Sequence, residues 1–429
     1  MRCVRGRFAR FSSVVMTLFL LLSLSGDLSA YSVLSHEAII DSAWGANIRP
    51  LLLKRFPGAT KEQLKEAHGY AYGGAIIQDM GYYPHGSFFF SDLTHYVRSG
   101  DFVLALIRDS TDLDGYAFAL GALAHYAADN KGHRIGVNRA VPVLYPKLQR
   151  KYGDSVTYEE GKLAHLKTEF GFDVLEIARG RYAPDSYHDF IGFGVSTSLL
   201  EKAFQKTYGL DLKGVLPDEA KALGSYRHDV SHVLPEATRI AWILKKDEIK
   251  NDQPGITKRK FLYNLSHASY RKHWGRNYQE PGFGERFLAF LVRVLPKFGA
   301  LKVLQLKTPT PETEKMFEAS FNATLNRYRQ LLNQVGTGQL DLPNDNFDTG
   351  DETGPGKYQL NDETQAKLLD RLAEQNFNGA SSEMRAELLE FFGHPDAPYS
   401  IKRKPKEWRR VQAEVDQLKM RVQADVMRQ

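Results

Sequence analysis

Apolar residues along this chain recur every three to four positions and almost nowhere alternate in twos, a helical signature. The densest run, Tyr116 to Ala128, is built from Ala, Leu and aromatics and predicts a buried helix. Ser35 reads as an N-cap with an apolar-periodic segment behind it. Further helical patterns cover 60–78, 155–178, 193–207, 216–223, 231–246, 283–297, 311–335, 362–376 and 382–392. Near the end, Trp408, Val411, Val415, Leu418 and Val422 are spaced by threes and fours, an amphipathic helix able to pair with a neighbour. Two stretches break the pattern. Tyr82 to Phe90 reads as an aromatic loop leading to Ser91-Asp-Leu-Thr-His95, and the Gly/Asp/Asn-rich Gly336 to Gly356 as loop or disorder. The acidic residues of the second stretch do not fit the spacing of a calcium-binding EF-hand loop. No internal repeat is visible. The prediction is an all-α protein: a helical bundle over residues 31–250, then a mostly helical region of unknown role over 251–429 with a flexible loop near 336–360. The boundary lies in the polar segment around Pro254-Gly255.

The N-terminus changes the compartment. Arg2, Arg5, Arg7 and Arg10 precede an apolar run from Val14 to Leu24, and Leu28-Ser-Ala30 is a plausible cleavage site, so residues 1–30 read as a signal peptide for secretion or periplasmic export. The apolar run is short of the roughly 20 residues of a membrane span, and an uncleaved anchor is the alternative. Its removal leaves 53 basic and 50 acidic residues, a net charge of +3 against +6 for the whole chain. That balance gives little support to a polyanion partner. The only cysteine, Cys3, lies in the signal, so the exported chain has no disulfide. A basic cluster, Lys402 to Lys406 with Arg409 and Arg410, reads as a solvated face, or alternatively as a site of membrane or anion attraction.

The candidate chemistry sits in the first half. His125 and Asp129 are four residues apart, hence on one face of the buried helix, and His165 and Glu169 repeat that spacing. A buried carboxylate requires a partner or a metal. With His36, Asp79, His95 and His133 the set comprises imidazoles and carboxylates with no thiolate, a donor set suited to zinc at hydrolytic sites. The remaining histidines (His68, His85, His188, His228, His232, His267, His273 and His394) read as structural or surface residues.

The order Tyr31, His36, Asp79, His95, His125-x-x-x-Asp129, His133, His165-x-x-x-Glu169 resembles the zinc-dependent phospholipase C and S1/P1 nuclease superfamily over residues 31 to about 245. The resemblance implies an all-helical, exported domain holding up to three zinc ions. One ion would be bound by Asp79, His95, His125 and Asp129. A second would use the backbone of Tyr31 as the new N-terminus, His36 and a bridging Asp129. A third would use His133, His165 and Glu169. Asp79 and Asp129 would be the catalytic carboxylates. Only three residues separate Asp129 from His133, where that family commonly has five.

Ions so placed can hold a water and lower its pKa, which points to phosphodiester hydrolysis by a metal-bound hydroxide. Phospholipase C-type cleavage of a phospholipid head group, with peripheral membrane contact, is the leading reading. An S1/P1-like nuclease is the first alternative, although near-neutral charge counts against nucleic acid. A non-catalytic metal-bearing protein whose C-terminal region serves an unknown protein partner is the second. Tyr82, Tyr83, Phe88, Phe89 and Phe90, lying between two ligand candidates, border the site as a lipid or base pocket, or else fill the core.

Overall fold

The computed structural model describes residues 33–83, 85–179, 194–228, 309–394 and 396–427, with Lys307 and a few positions between 242 and 258. The signal segment, Tyr31, the helical pattern at 283–297 and nearly all of that at 231–246 lie outside the described residues.

The helices are α1 (Val33–Ala43), α2 (Arg49–Arg55), α3 (Lys61–Gly74), α4 (Phe88–Tyr96), α5 (Ser99–Asp109), α6 (Leu113–Gly132), α7 (Asn138–Leu144) and α8 (Pro146–Tyr152). They continue with α9 (Tyr158–Arg179), α10 (Thr197–Tyr208), α11 (Leu212–Val215), α12 (Glu219–His228), α13 (Pro311–Thr337), α14 (Gln359–Glu374), α15 (Ser382–Phe391) and α16 (Pro405–Val426). A 3-10 segment, Ile77–Tyr82, follows α3, and a π-helical turn, His133–Val137, joins α6 to α7. Among the described residues no strand forms, and an isolated antiparallel bridge joins Asp345 and Glu352. The all-α expectation holds. None of the described helices is long and apolar enough to cross a membrane.

Helix α6 is the axis of the molecule. Its sequence is apolar all round, so it is buried all round, and nearly every residue from Gly115 to Gly132 is shielded from solvent. Asp112 caps it by accepting a hydrogen bond from the Gly115 amide at 2.7 Å. On one side α3 lies unusually close. A Cβ at Gly121 would stand 2.1 Å from the Ala71 carbonyl oxygen, and one at Gly74 would stand 1.9 Å from that of Phe118. These glycines let two backbones touch, which brings the end of α3 against the middle of α6.

On the other side lies α13, from the C-terminal region. Thr310 and Thr313 form a reciprocal cap at its start, and Pro311 occupies its first turn. The Tyr328 hydroxyl, wholly buried, donates to the Leu120 carbonyl at 2.8 Å. One core cluster runs from Ile39 and Leu52 through α6 to Leu331, Leu369 and Leu418. Helices on both sides of Pro254-Gly255 therefore share it, and the C-terminal region meets the first half of the chain rather than standing apart. Val411, Val415 and Leu418 are the buried stripe of α16, which packs on α14 and α15 as the spacing predicts.

Corrections are local. Residues 88–90, read as loop, form the first turn of α4. Gly336 to Gly356 begins as the end of α13, and the loop beyond it folds inward, with Phe347 fully buried and Asp348 2% exposed.

Candidate metal centre

Three ligand candidates come from one stripe. His125, Asp129 and His133 are successive fourth residues on α6 and the π turn that extends it, so they project from one face. The short Asp129–His133 spacing keeps His133 on that stripe. All three are buried. Asp79 arrives from the 3-10 segment behind α3, His95 from the last turn of α4, and His36 from α1.

These side chains converge on Asp129. Its Oδ2 lies 3.2 Å from His125 Nε2 and 3.4 Å from His95 Nε2, and its Oδ1 lies 3.6 Å from His36 Nε2. Asp79 Oδ1 is 3.3 Å from His95 Nε2. The His36 ring stacks on His125 with centroids 4.5 Å apart and planes 9° from parallel. One ligand atom from each of Asp79, His95, His125 and Asp129 lies within 4.8 Å of the others. A second group, with the same spread, comprises His133, His165 and Glu169. In α9 the i, i+4 spacing sets His165 Nδ1 3.1 Å from Glu169 Oε1.

The outward nitrogens explain the orientation of the inward ones. His125 Nδ1 lies 2.9 Å from the Ala75 carbonyl, and His95 Nδ1 lies 2.8 Å from that of Ser91. A carbonyl only accepts, so Nδ1 carries a proton in both rings and Nε2 is directed into the cluster. His165 is reversed: its Nε2 donates to the Val156 carbonyl at 2.9 Å, leaving Nδ1 for the second group. Histidines that bind metal are held in this way.

Among the described residues, neither oxygen of Asp129, nor Asp79 Oδ1, nor His133 Nε2 has a hydrogen-bond partner, although all are buried. Carboxylate oxygens and imidazole lone pairs facing one another repel unless a cation or proton lies among them. The donor set therefore fits zinc. Without metal, His95 carries the missing charge as a proton. Burial opposes that charge, but the facing carboxylates of Asp129 and Asp79 push its pKa up to about 10. Burial and the neighbouring His125 instead hold His36 well below its ordinary value, so it is the neutral imidazole a metal requires. Burial raises Asp79. Asp129 is also desolvated, but the histidines around it hold it well below the carboxylate range.

The aromatic residues divide. The Tyr82 ring meets His95 edge-on at 5.8 Å and borders the centre. Phe90 stacks on Phe204 at 5.5 Å and belongs to the core, while Phe88 is exposed. His68 is structural, 2.9 Å from Asp41 and stacked on Trp44. Tyr31, expected to contribute its backbone to one ion, is outside the described residues; His36, expected beside it, has its Nε2 3.6 Å from Asp129 Oδ1.

Two residues beyond the expected set also reach the centre, and both come from the C-terminal loop. Phe347 packs edge-on against His95 at 5.2 Å, and its amide donates to the His95 carbonyl at 3.2 Å. Asp348 Oδ1 is 3.0 Å from His133 Nδ1. Nothing in the spacing of the ligand set indicates either residue. The local signal is Asn346, whose side-chain oxygen accepts from the Asp348 and Thr349 amides and so makes a turn.

No curated protein and no solved structure matches the chain. Residues 35–215 do match a family model, that of zinc dependent phospholipase C. The segment includes every described ligand candidate from His36 to Glu169, and over it the chain is similar to that family.

Proposed function

We propose that the chain is an exported zinc-dependent phosphodiester hydrolase of phospholipase C type, acting on phospholipid head groups at a lipid surface. Asp79, His95, His125 and Asp129 would hold one ion. Asp129, His36 and the Tyr31 backbone would hold a second, and His133, His165 and Glu169 a third. Zinc in these positions supplies Lewis acidity, which activates a water and stabilises negative charge on phosphate oxygens.

The chain's own part is positioning. Asp129 directs one oxygen at His36 and the other at His95 and His125, the disposition of a bridging carboxylate. The Ala75 and Ser91 carbonyls fix the tautomers of His125 and His95. Asp79 has an oxygen without a hydrogen-bond partner among the described residues, which would orient the attacking water and accept its proton. The observation that carries the reading is Asp129 itself: wholly buried, with neither oxygen hydrogen-bonded among the described residues and three imidazole Nε2 atoms within 3.6 Å.

The experiment is hydrolysis by the purified mature chain with zinc, alongside a chelated control and Asp129→Asn. Phosphatidylcholine vesicles and single-stranded DNA would be the two substrates. Release of phosphorylated head group that disappears with chelator and in Asp129→Asn supports the proposal. Release of nucleotides instead transfers the chain to the nuclease reading. Activity unchanged in Asp129→Asn refutes both enzyme readings, and zinc binding with no hydrolysis of either substrate favours a metal-bearing binding protein.

A further inference from the structure

Asp348 lies outside the segment that matches the family, 215 residues beyond His133 in the chain, yet it is among the most tightly held side chains near the centre. Its Oδ2 accepts from the Tyr158 amide at 2.8 Å and from the Tyr358 hydroxyl at 2.7 Å. Its carbonyl accepts from the Asn138 side-chain amide at 2.8 Å. With Oδ2 and the backbone anchored in this way, Oδ1 is left facing His133 Nδ1. A carboxylate there selects the Nδ1–H tautomer, and the Nε2 lone pair then faces the group shared with His165 and Glu169. That Nε2 is buried and has no hydrogen-bond partner among the described residues.

We propose that Asp348 is a positioning residue for the His133–His165–Glu169 metal site, and that the C-terminal region thereby completes a centre whose ligands all belong to the first half. His165 is oriented by a backbone carbonyl within its own neighbourhood, Val156. His133 stands at the start of a π turn. Its orienting group is delivered from the loop between α13 and α14. A carboxylate partner also makes the imidazole a stronger donor than a carbonyl partner does, and loss of such outer partners typically weakens metal binding by about 10–100-fold. The proposal rests on the metal reading above.

The test compares Asp348→Ala, Asp348→Asn and His133→Ala with the wild-type chain. Bound zinc per chain is measured at a series of buffered free-zinc concentrations, and melting is followed with and without chelator. Asp348→Asn is the decisive variant. The Tyr158 amide and Tyr358 hydroxyl require an acceptor, so the Asn oxygen takes the Oδ2 position and its NH2 group turns to His133. The imidazole must then accept at Nδ1 and carry its proton on Nε2, which cannot bind metal. The expected result is that both Asp348 variants need about 10–100-fold more free zinc to fill one site, with Asn at least as impaired as Ala. The zinc-induced rise in melting temperature should shrink in both. A nitrogen-detected NMR spectrum should also show His133 as the Nε2–H tautomer in zinc-free Asp348→Asn.

A merely structural anchor gives the opposite order, with Asn milder than Ala and both melting temperatures lowered equally with and without zinc. That outcome overturns the proposal. If His133→Ala loses one zinc while both Asp348 variants keep it, the Asp348 proposal alone falls. If His133→Ala keeps the full complement, the metal reading of this group falls with it.

Discussion

The close approach of α3 and α6 makes glycine to alanine costly at Gly121, whereas the same substitution at Gly224, outside those helices, is favourable. At Gly121 the new Cβ would meet the Ala71 carbonyl oxygen at 2.1 Å, whereas ordinary contact begins near 3.4 Å, so the helices must part by about 1.3 Å along that line. The obstacle is backbone and cannot rotate away. Overpacking of this kind costs about 1–3 kcal/mol. The displacement acts where His125 Nδ1 donates to Ala75 at 2.9 Å. Transmitting half of it stretches that bond past 3.5 Å, beyond hydrogen-bonding range, for roughly another 1 kcal/mol. Better helix propensity returns about 1 kcal/mol, which leaves Gly121→Ala destabilised by about 1–3 kcal/mol. At Gly224, within α12, nothing among the described residues lies within 4 Å of the added carbon, so Gly224→Ala keeps only the propensity gain, a stabilisation of about 0.4–1 kcal/mol. Urea unfolding in chelator, analysed with a common slope, measures both without a contribution from zinc. Zinc titration of Gly121→Ala should also show weakened binding at the group that includes His125. A Gly121→Ala chain as stable as wild type, with undiminished zinc affinity, would refute the claim that backbone contact between these helices sets the centre.

Other consequences can be measured on the same material. In the zinc-free chain His95 and His133 titrate near 10 and near 9. Burial opposes protonation of both; the facing carboxylates of Asp129 and Asp79 raise the first, and a hydrogen bond with Asp348 raises the second. Both values exceed the ordinary histidine value of about 6.5, so their stabilisation is complete below that pH and is lost as pH rises through about 9 to 10. His36, depressed, acts in the opposite sense but only below about pH 6.5, leaving that window unaffected. Chelated protein should therefore melt lower at pH 9 than at pH 6.5, while zinc-loaded protein should show little of this decline because the metal takes the place of the proton. A melting curve that is flat with pH in chelator would contradict the charge assignment. Phe347→Ala should cost about 3–5 kcal/mol as a buried ring is lost, and should weaken zinc binding at the group it covers; unfolding midpoints and zinc titration read both.

What the sequence made legible follows from the range over which each signal acts. Helix spacing is local, so His125 with Asp129 and His165 with Glu169 could be placed on shared faces before any fold was known, and each pair does face one group. The ordered resemblance then joined His36, Asp79 and His95 to them, because a family's ligand order carries three-dimensional information that periodicity lacks. The aromatic stretch misled because Pro, Gly and Ser precede it and resemble loop chemistry, whereas Phe88 to Phe90 already have the propensities and tertiary neighbours to begin α4. Asp348 was illegible for a stronger reason. In a polar stretch rich in Gly, Asp and Asn, composition argues for exposure, and a buried carboxylate is identified only by its donors. Those donors are Tyr158, Tyr358 and His133, separated from it by between 10 and 215 residues. The pairing is set by tertiary structure: α13 docks on α6 and delivers the following loop to the π turn where His133 begins. It follows that a ligand set read from one half of a chain can be complete while the residues that orient it are not, and that removing the C-terminal region here should disturb the metal centre, not merely shorten the protein.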